Sequence, residues 1–171
     1  ITIKGFRVSA PRGCGIHSLG ITGLNVVDCY VHSCGQSGIY AVHHGVTIKN
    51  CLVERNGLSP LYDHGIYAGA RALLTVDSCV IRHNACCGIG VGKGTVRFTL
   101  RNSLIEGNPC GLWLECPASS NNIDAAQITS CTFVKNDEDL NITIAGSGKG
   151  TPLILTNTVY DSNRSVVMAP N

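Results

Sequence analysis

One pattern returns seven times along this chain, and copies of a short alternating motif can bury their apolar side chains only by stacking on one another. Its clearest copy is Val46–Asn56, VTIKNCLVERN, in which Val46 and Ile48 alternate with Thr47 and Lys49, a polar step follows at Asn50, and alternation resumes through Val53 and Glu54. The same register recurs at Ile1 (ITIKGFRVSAP), Leu24 (LNVVDCYVHSC), Leu74 (LTVDSCVIRHN), Phe98 (FTLRNSLIEGN), Ala126 (AQITSCTFVKN) and Leu153 (LILTNTVYDSN), at steps of 23, 22, 28, 24, 28 and 27 residues. A second motif follows each copy: GIHSL from Gly15, GIYAV from Gly38, GIYAG from Gly65, GIGVG from Gly88, GLWLE from Gly111, NITIA from Asn141 and SVVMA from Ser165. Alternation places successive side chains on opposite faces of a strand. Each copy therefore reads as three short strands separated by bends, and the variable step lengths fall in loops.

Stacking the copies predicts columns. Ile16, Ile39, Ile66, Ile89, Leu112, Ile142 and Val166 or Val167 line one inner row; Val26, Ile48, Val76, Leu100, Ile128 and Leu155 line another. Thr47, Thr75 and Thr99 form an outer stack suited to an exposed β face. Asp28, Asn50, Ser78, Asn102, Ser130 and Asn157 align at the bend, where small polar residues bond the local backbone and Asn or Asp tolerates left-handed φ. Just after the bend come Cys29, Cys51, Cys79, Ser103, Cys131 and Thr158. Parallel, in-register thiols rarely present a disulfide dihedral, so these cysteines are expected as free, buried small hydrophobes. Cys14, Cys87 and Cys110 share a further column, with a Cys87–Cys110 bridge the less favoured state.

Composition narrows the class. Charged residues are only 14%, aromatics 5%, and Gly numbers 20, with mean hydropathy +0.17. That balance suits an all-β chain with many turns. No apolar run reaches the ~18 residues of a membrane span, and scattered basic residues with a net charge of +2 give no nucleic-acid footprint. Ile1 already begins an alternating strand, so the chain reads as a mature or excised segment of something longer. The 10 cysteines include no C-x-x-C pair, which weakens a zinc reading. No cofactor or metal is expected.

The full pattern of alternating strand, Asn bend, alternating strand ending in Asn, loop and Gly-Ile-x resembles the right-handed parallel β-helix repeats of the pectin-lyase-like superfamily. The resemblance covers residues 1–171 and implies one domain: an all-β, right-handed, single-stranded parallel β-helix of about seven coils with three strands each. It also implies that the third strand of each coil belongs to the sheet that members use as the floor of a carbohydrate cleft. Of family signatures, the Gly-His-Gly of the polygalacturonase-like hydrolases has only the partial echo Asp63-His64-Gly65, and neither an adjacent Asp pair nor an acidic calcium cluster is visible.

By parity, the outward column of that sheet is His17, Tyr40, Tyr67, Gly90, Trp113 and Thr143, a flat platform on which sugar rings could stack, with a shallow gap at Gly90. The longest preceding loop, Asn56–Asp63, ends in Tyr62-Asp63-His64. On the preceding strand face, Glu54 has His32 on one side, Arg82 on the other and Glu106 beyond. A sugar-acid lyase or epimerase needs carboxylate neutralisation, a base and an acid. Tyr62, Asp63, His64 and Arg82 are the candidate catalytic set; Tyr40, Tyr67, Trp113, His17 and Glu54 the substrate-binding set. The alternative reads Glu54, Arg82 and Glu106 as an exposed ion-pair ladder and Asp63 as a turn residue. Strict alternation from Ile66 points His64 inward beside Ser37 and Cys87; only a bend at Gly65 turns it out.

His43-His44 reads as a solvated loop, and Asn141 and Asn163 open glycosylation sequons that matter only in a secreted protein. The leading expectation is a carbohydrate-active domain that binds an acidic polysaccharide, with cleavage or epimerisation open. The alternatives are a non-catalytic protein- or glycan-interaction scaffold in a larger protein and a structural or adhesive element. A secreted or cell-surface location is slightly favoured. Nucleic acid is not an expected partner.

Overall fold

The computed structural model describes residues 1–92, 97–116, 125–144 and 153–161, without the side chains of residues 43–44, 70–71, 115–116, 125 and 143–144. The first two coils run through β1 (Thr2–Lys4), β2 (Arg7–Val8), β3 (Ile16–Leu19), β4 (Leu24–Val27), β5 (Tyr30–His32) and β6 (Ile39–Lys49). The middle of the chain adds β7 (Leu52–Glu54), β8 (Ile66–Asp77), β9 (Val80–Arg82), β10 (Cys87–Val91), β11 (Arg97–Arg101), β12 (Leu104–Glu106) and β13 (Cys110–Cys116). It closes with β14 (Ala125–Thr129), β15 (Thr132–Val134), β16 (Glu138–Ile144), β17 (Leu153–Thr156) and β18 (Val159–Tyr160). Every pairing among the described residues is parallel and joins strands one coil apart. The second strands form a seven-stranded sheet of their own. First and third strands merge into an 11-stranded sheet because β6 and β8 each carry a third strand around a corner into the next first strand.

The solenoid makes about five turns rather than the seven expected. Among the described residues β1 pairs with β4 alone and β17 with β14 alone, and both are largely exposed. The SVVMA copy with Val166 and Val167, the sequon at Asn163 and the insertions 118–122 and 146–151 lie outside the described residues.

Inside, the expected columns are present. Ile3, Val26, Ile48, Val76, Leu100, Ile128 and Leu155 are consecutive register partners. Ile16, Ile39, Ile66, Ile89 and Leu112 form the second row. Its sixth member is Leu140, and Ile142 pairs with Leu114 instead. The sixth copy runs two residues out of the expected phase: Asn141-Ile142 imitates Gly-Ile, but Asn136 sets the spacing. Leu140 follows Asn136 by the same four residues that separate Leu112 from Asn108. Trp113 therefore faces Asn141, not Thr143.

Two structures hold the corners. All six expected bend residues, from Asp28 (φ 53°) to Asn157 (φ 49°), are left-handed. At the end of the second strand, Asn56, Asn84, Asn108 and Asn136 form a buried ladder. Asn84 Oδ1 accepts from the Asn56 backbone N–H (3.2 Å) and from Asn56 Nδ2 (3.1 Å), and Asn108 Oδ1 accepts the equivalent pair from Asn84 at 3.0 and 3.1 Å. The ladder thus satisfies backbone donors where the chain leaves one sheet for the next. It also explains the glycine before each third strand: a Cβ on Gly38 would lie 2.7 Å from Asn56 Nδ2 and 2.8 Å from Gly65 O.

Cys29, Cys51, Cys79 and Cys131 are free and buried, as expected. Each stacks under its neighbour closely enough that Cys51 Sγ accepts the Cys29 N–H at 3.4 Å and Cys79 Sγ the Cys51 N–H at 3.5 Å. Cys14, Cys87 and Cys110 are also free.

Candidate functional site

The parity argument sets His17, Tyr40, Tyr67, Gly90 and Trp113 in one register column on the third-strand face. His17 meets Tyr40 edge-on at 5.0 Å between centroids, and Tyr40 stacks on Tyr67 at 5.1 Å. The shallow gap expected at Gly90 is filled. The His64 ring leaves the inward path of strict alternation at the Gly65 bend and lies over Gly90, 5.3 Å from Tyr67 and 6.2 Å from Trp113, nearly parallel to both. A Cβ on Gly90 would sit 2.9 Å from this ring. Glycine at 90 therefore opens the slot that His64 occupies, and five rings run in an unbroken row. His17 is exposed, Tyr40, Tyr67 and Trp113 are half-buried, and His64 is buried.

The loop 56–63 stands over this row and is braced by Asp63. Its Oδ2 accepts the backbone N–H of Leu58 (3.1 Å) and Ser59 (2.8 Å), while its carbonyl accepts from Cys86 N at 3.1 Å. Leu58, Leu61 and Tyr62 project into solvent with 81%, 71% and 76% of their surface exposed. Each flank of the loop opens into a depression. One, about 440 Å³, is lined by Cys14, His17, Leu19, Gln36, Tyr40, Val42 and Asp63. The other, about 230 Å³, is lined by Pro60, Leu61, His64, Cys86, Cys87 and Trp113.

At the floor of the smaller depression, ligating atoms of His64, Cys86 and Cys87 lie within 4.8 Å of one another, and the two Sγ atoms are 3.6 Å apart. His64 Nδ1 is buried without a hydrogen-bond partner. The Cys87 thiol, by hydrogen bonding, and then the His64 ring draw the Cys86 thiol below its ordinary value against the opposing effect of burial.

Arg82 lies elsewhere. It sits on β9 of the seven-stranded sheet, where its Nε donates to Glu54 Oε2 at 2.7 Å. Glu54 Oε1 accepts from the Tyr30 hydroxyl, Tyr30 stacks on His32 at 4.3 Å, and Arg7 donates to His32 Nε2 at 2.7 Å. The expected neighbours of Glu54 are in place, but the ladder is not an exposed one: Glu54 is 4% exposed and both carboxylate oxygens are engaged. Of the candidate catalytic set, Tyr62, Asp63 and His64 share the loop and its base, and Arg82 is not brought to them. Of the binding set, His17, Tyr40, Tyr67 and Trp113 share the ring row, and Glu54 belongs to the other sheet. The side chains of His43 and His44 lie outside the described residues; their backbone runs through β6 at a register irregularity.

A family model described as "Right handed beta helix region" matches residues 1–128. The chain belongs to the right-handed β-helix family. No curated protein and no solved structure matches it. Two parts of this β-helix escaped sequence reasoning. The absence of a C-x-x-C pair weakens a zinc reading of the sequence, yet the adjacent Cys86 and Cys87 both line the smaller depression beside His64. The inward turn of the four asparagines had a signal in their fixed place at the end of each second strand.

Proposed function

We propose that this β-helix is a glycan-binding module whose binding surface is the ring row of His17, Tyr40, Tyr67 and Trp113, with the buried His64 packed beneath it between Tyr67 and Trp113. The row itself carries the reading: five rings at 5.0 to 6.2 Å spacing on one outward face, with a depression on each flank of an overhanging loop. Because Tyr40, Tyr67, His64 and Trp113 stack on one another along the row, they offer a sugar their edges and polar tips, held rigid by half-burial at small entropic cost. The larger depression offers Gln36, His17 and Asp63 as polar partners and, among the described residues, is lined by no lysine or arginine. A neutral glycan suits that lining better than a uronate polymer. The proposal stops at binding, because Arg82 is tied to Glu54 on the other sheet and the Asp63 carboxylate braces its own loop.

A glycan array with the full chain tests this. Binding that falls at least tenfold in Tyr67→Ala and in Tyr40→Ala supports it. Binding that persists in both variants, or a folded chain that retains no glycan, overturns it. A second reading, a protein-docking module, is favoured by the exposed Leu58, Leu61 and Tyr62 at the loop tip. It predicts loss of partner capture on Leu58→Ser/Leu61→Ser with the ring row intact.

A further inference from the structure

The smaller depression holds groups that glycan stacking does not use. Two adjacent thiols and an imidazole converge at its floor, with their ligating atoms within 4.8 Å of one another. We propose that His64, Cys86 and Cys87 form a binding site for a thiophilic d¹⁰ cation of the Zn²⁺ type, with a fourth coordination position open to the depression.

The geometry fits such an ion. Zinc bonds thiolate sulfur at about 2.3 Å and imidazole nitrogen at about 2.0–2.1 Å in a tetrahedron, so two ligating sulfurs stand roughly 3.8 Å apart. Cys86 Sγ and Cys87 Sγ are 3.6 Å apart. Soft sulfur with imidazole selects Zn²⁺ or Cu⁺ over hard cations such as Ca²⁺ and Mg²⁺. The imidazole is held in orientation rather than left to search: it is stacked between Tyr67 and Trp113 and seated on Gly90. Its Nδ1 is buried with no hydrogen-bond partner among the described residues. Supporting groups that fix a ligating histidine raise metal affinity.

Cys110, the register partner of Cys87, touches the Cys87 thiol but does not converge with His64 and Cys86. Three protein ligands are then complete, and the remaining position faces the space bounded by Pro60, Leu61 and Trp113. An open fourth position is the arrangement in which zinc accepts water or a ligand oxygen. Metal binding here does not depend on the glycan reading, and its test contains no glycan.

The test is a Co²⁺ titration of the full chain, reduced with a phosphine, followed by displacement with Zn²⁺. The expected result is one equivalent of Co²⁺ bound with thiolate-to-metal charge-transfer absorption and the intense visible bands of tetrahedral cobalt, both abolished by one equivalent of Zn²⁺. At one equivalent of Co²⁺ the bands are lost in Cys86→Ser and in His64→Ala, each of which removes a direct ligand and so costs more than the about 10–100-fold that loss of a supporting group costs, while the buried-stack variant Cys131→Ser leaves them unchanged. Circular dichroism confirms that each variant is folded. Cys86 is only half-buried, so its serine variant keeps the test decisive if His64→Ala unfolds. Absence of the charge-transfer band from the folded, reduced chain overturns the proposal. So does a band that survives in Cys86→Ser or disappears in Cys131→Ser.

Discussion

The His64 imidazole rests on Gly90, a residue of the next coil, so closely that a methyl group at 90 would lie 2.9 Å from the ring. Register brings this about. Gly90 is the partner of Tyr67 on one side and Trp113 on the other, and its missing side chain leaves the space in which the His64 ring, from outside the column, enters the row.

Gly90→Ala is therefore expected to displace His64. The neighbour is a side chain, but one packed between two other rings, so it cannot move without disturbing the row. Overpacking of this kind costs roughly 1–3 kcal/mol. Denaturant unfolding should show that loss, with a changed near-ultraviolet circular dichroism signal and weakened binding of any array-positive glycan.

Asn84→Ala tests the asparagine ladder. The substitution removes the acceptor for two donors of Asn56 and both bonds from Asn84 Nδ2, to Asn108 Oδ1 and Val53 O. Leaving buried donors unpaired costs about 1–3 kcal/mol apiece, so a loss of about 3 kcal/mol or more is expected in urea unfolding. An effect below about 1 kcal/mol would mean that the ladder does not hold the corner.

Ser18→Ala should move the other way. Ser18 is 1% exposed, its Oγ has no partner, and it stands beside Ala41 in the inward row. Removing an unsatisfied hydroxyl at a site already lined by alanine should raise stability by about 1 kcal/mol.

Acid should destabilise the fold through two carboxylates. The Tyr30 hydroxyl, then Arg82, holds the Glu54 carboxyl below its usual range against burial. At Asp77 burial pushes upward, but Asn102, Ser78 and Arg101 together outweigh it and the net shift is downward. Each group binds its proton more readily in the unfolded chain, so each contributes stability above the unfolded value of about 4 and loses it as pH falls through the lower folded value. The melting temperature should be flat from about pH 7 to 5 and drop below about pH 4. Glu54→Gln should shallow that drop.

Much of this molecule is legible in its sequence, and the limits have physical causes. The Val26–Leu155 row and the six left-handed bends follow from alternation and from residue types that prefer those conformations. The second set of bends does not: Ser33, Arg55, His83 and Lys135 also have φ between 52° and 55°, and nothing about Arg, His or Lys announces a left-handed backbone. The sixth copy departs from the phase its sequence suggests because Asn141-Ile142 imitates Gly-Ile, while Asn136 keeps the true spacing. His64 and Arg82 show the same limit at the site. Alternation specifies which face a residue takes, but it says nothing of a bend such as Gly65, nor of which sheet a side chain joins once the coil has turned a corner.

Trp113 is the sole tryptophan of the chain and stands at the end of the ring row, so its fluorescence reports directly on that face. Titration of the full chain with an array-positive neutral glycan should produce a saturable change in Trp113 emission that is lost in Tyr67→Ala. Glycan binding that saturates while Trp113 emission stays unchanged would locate the sugar elsewhere and contradict the assignment of the ring row.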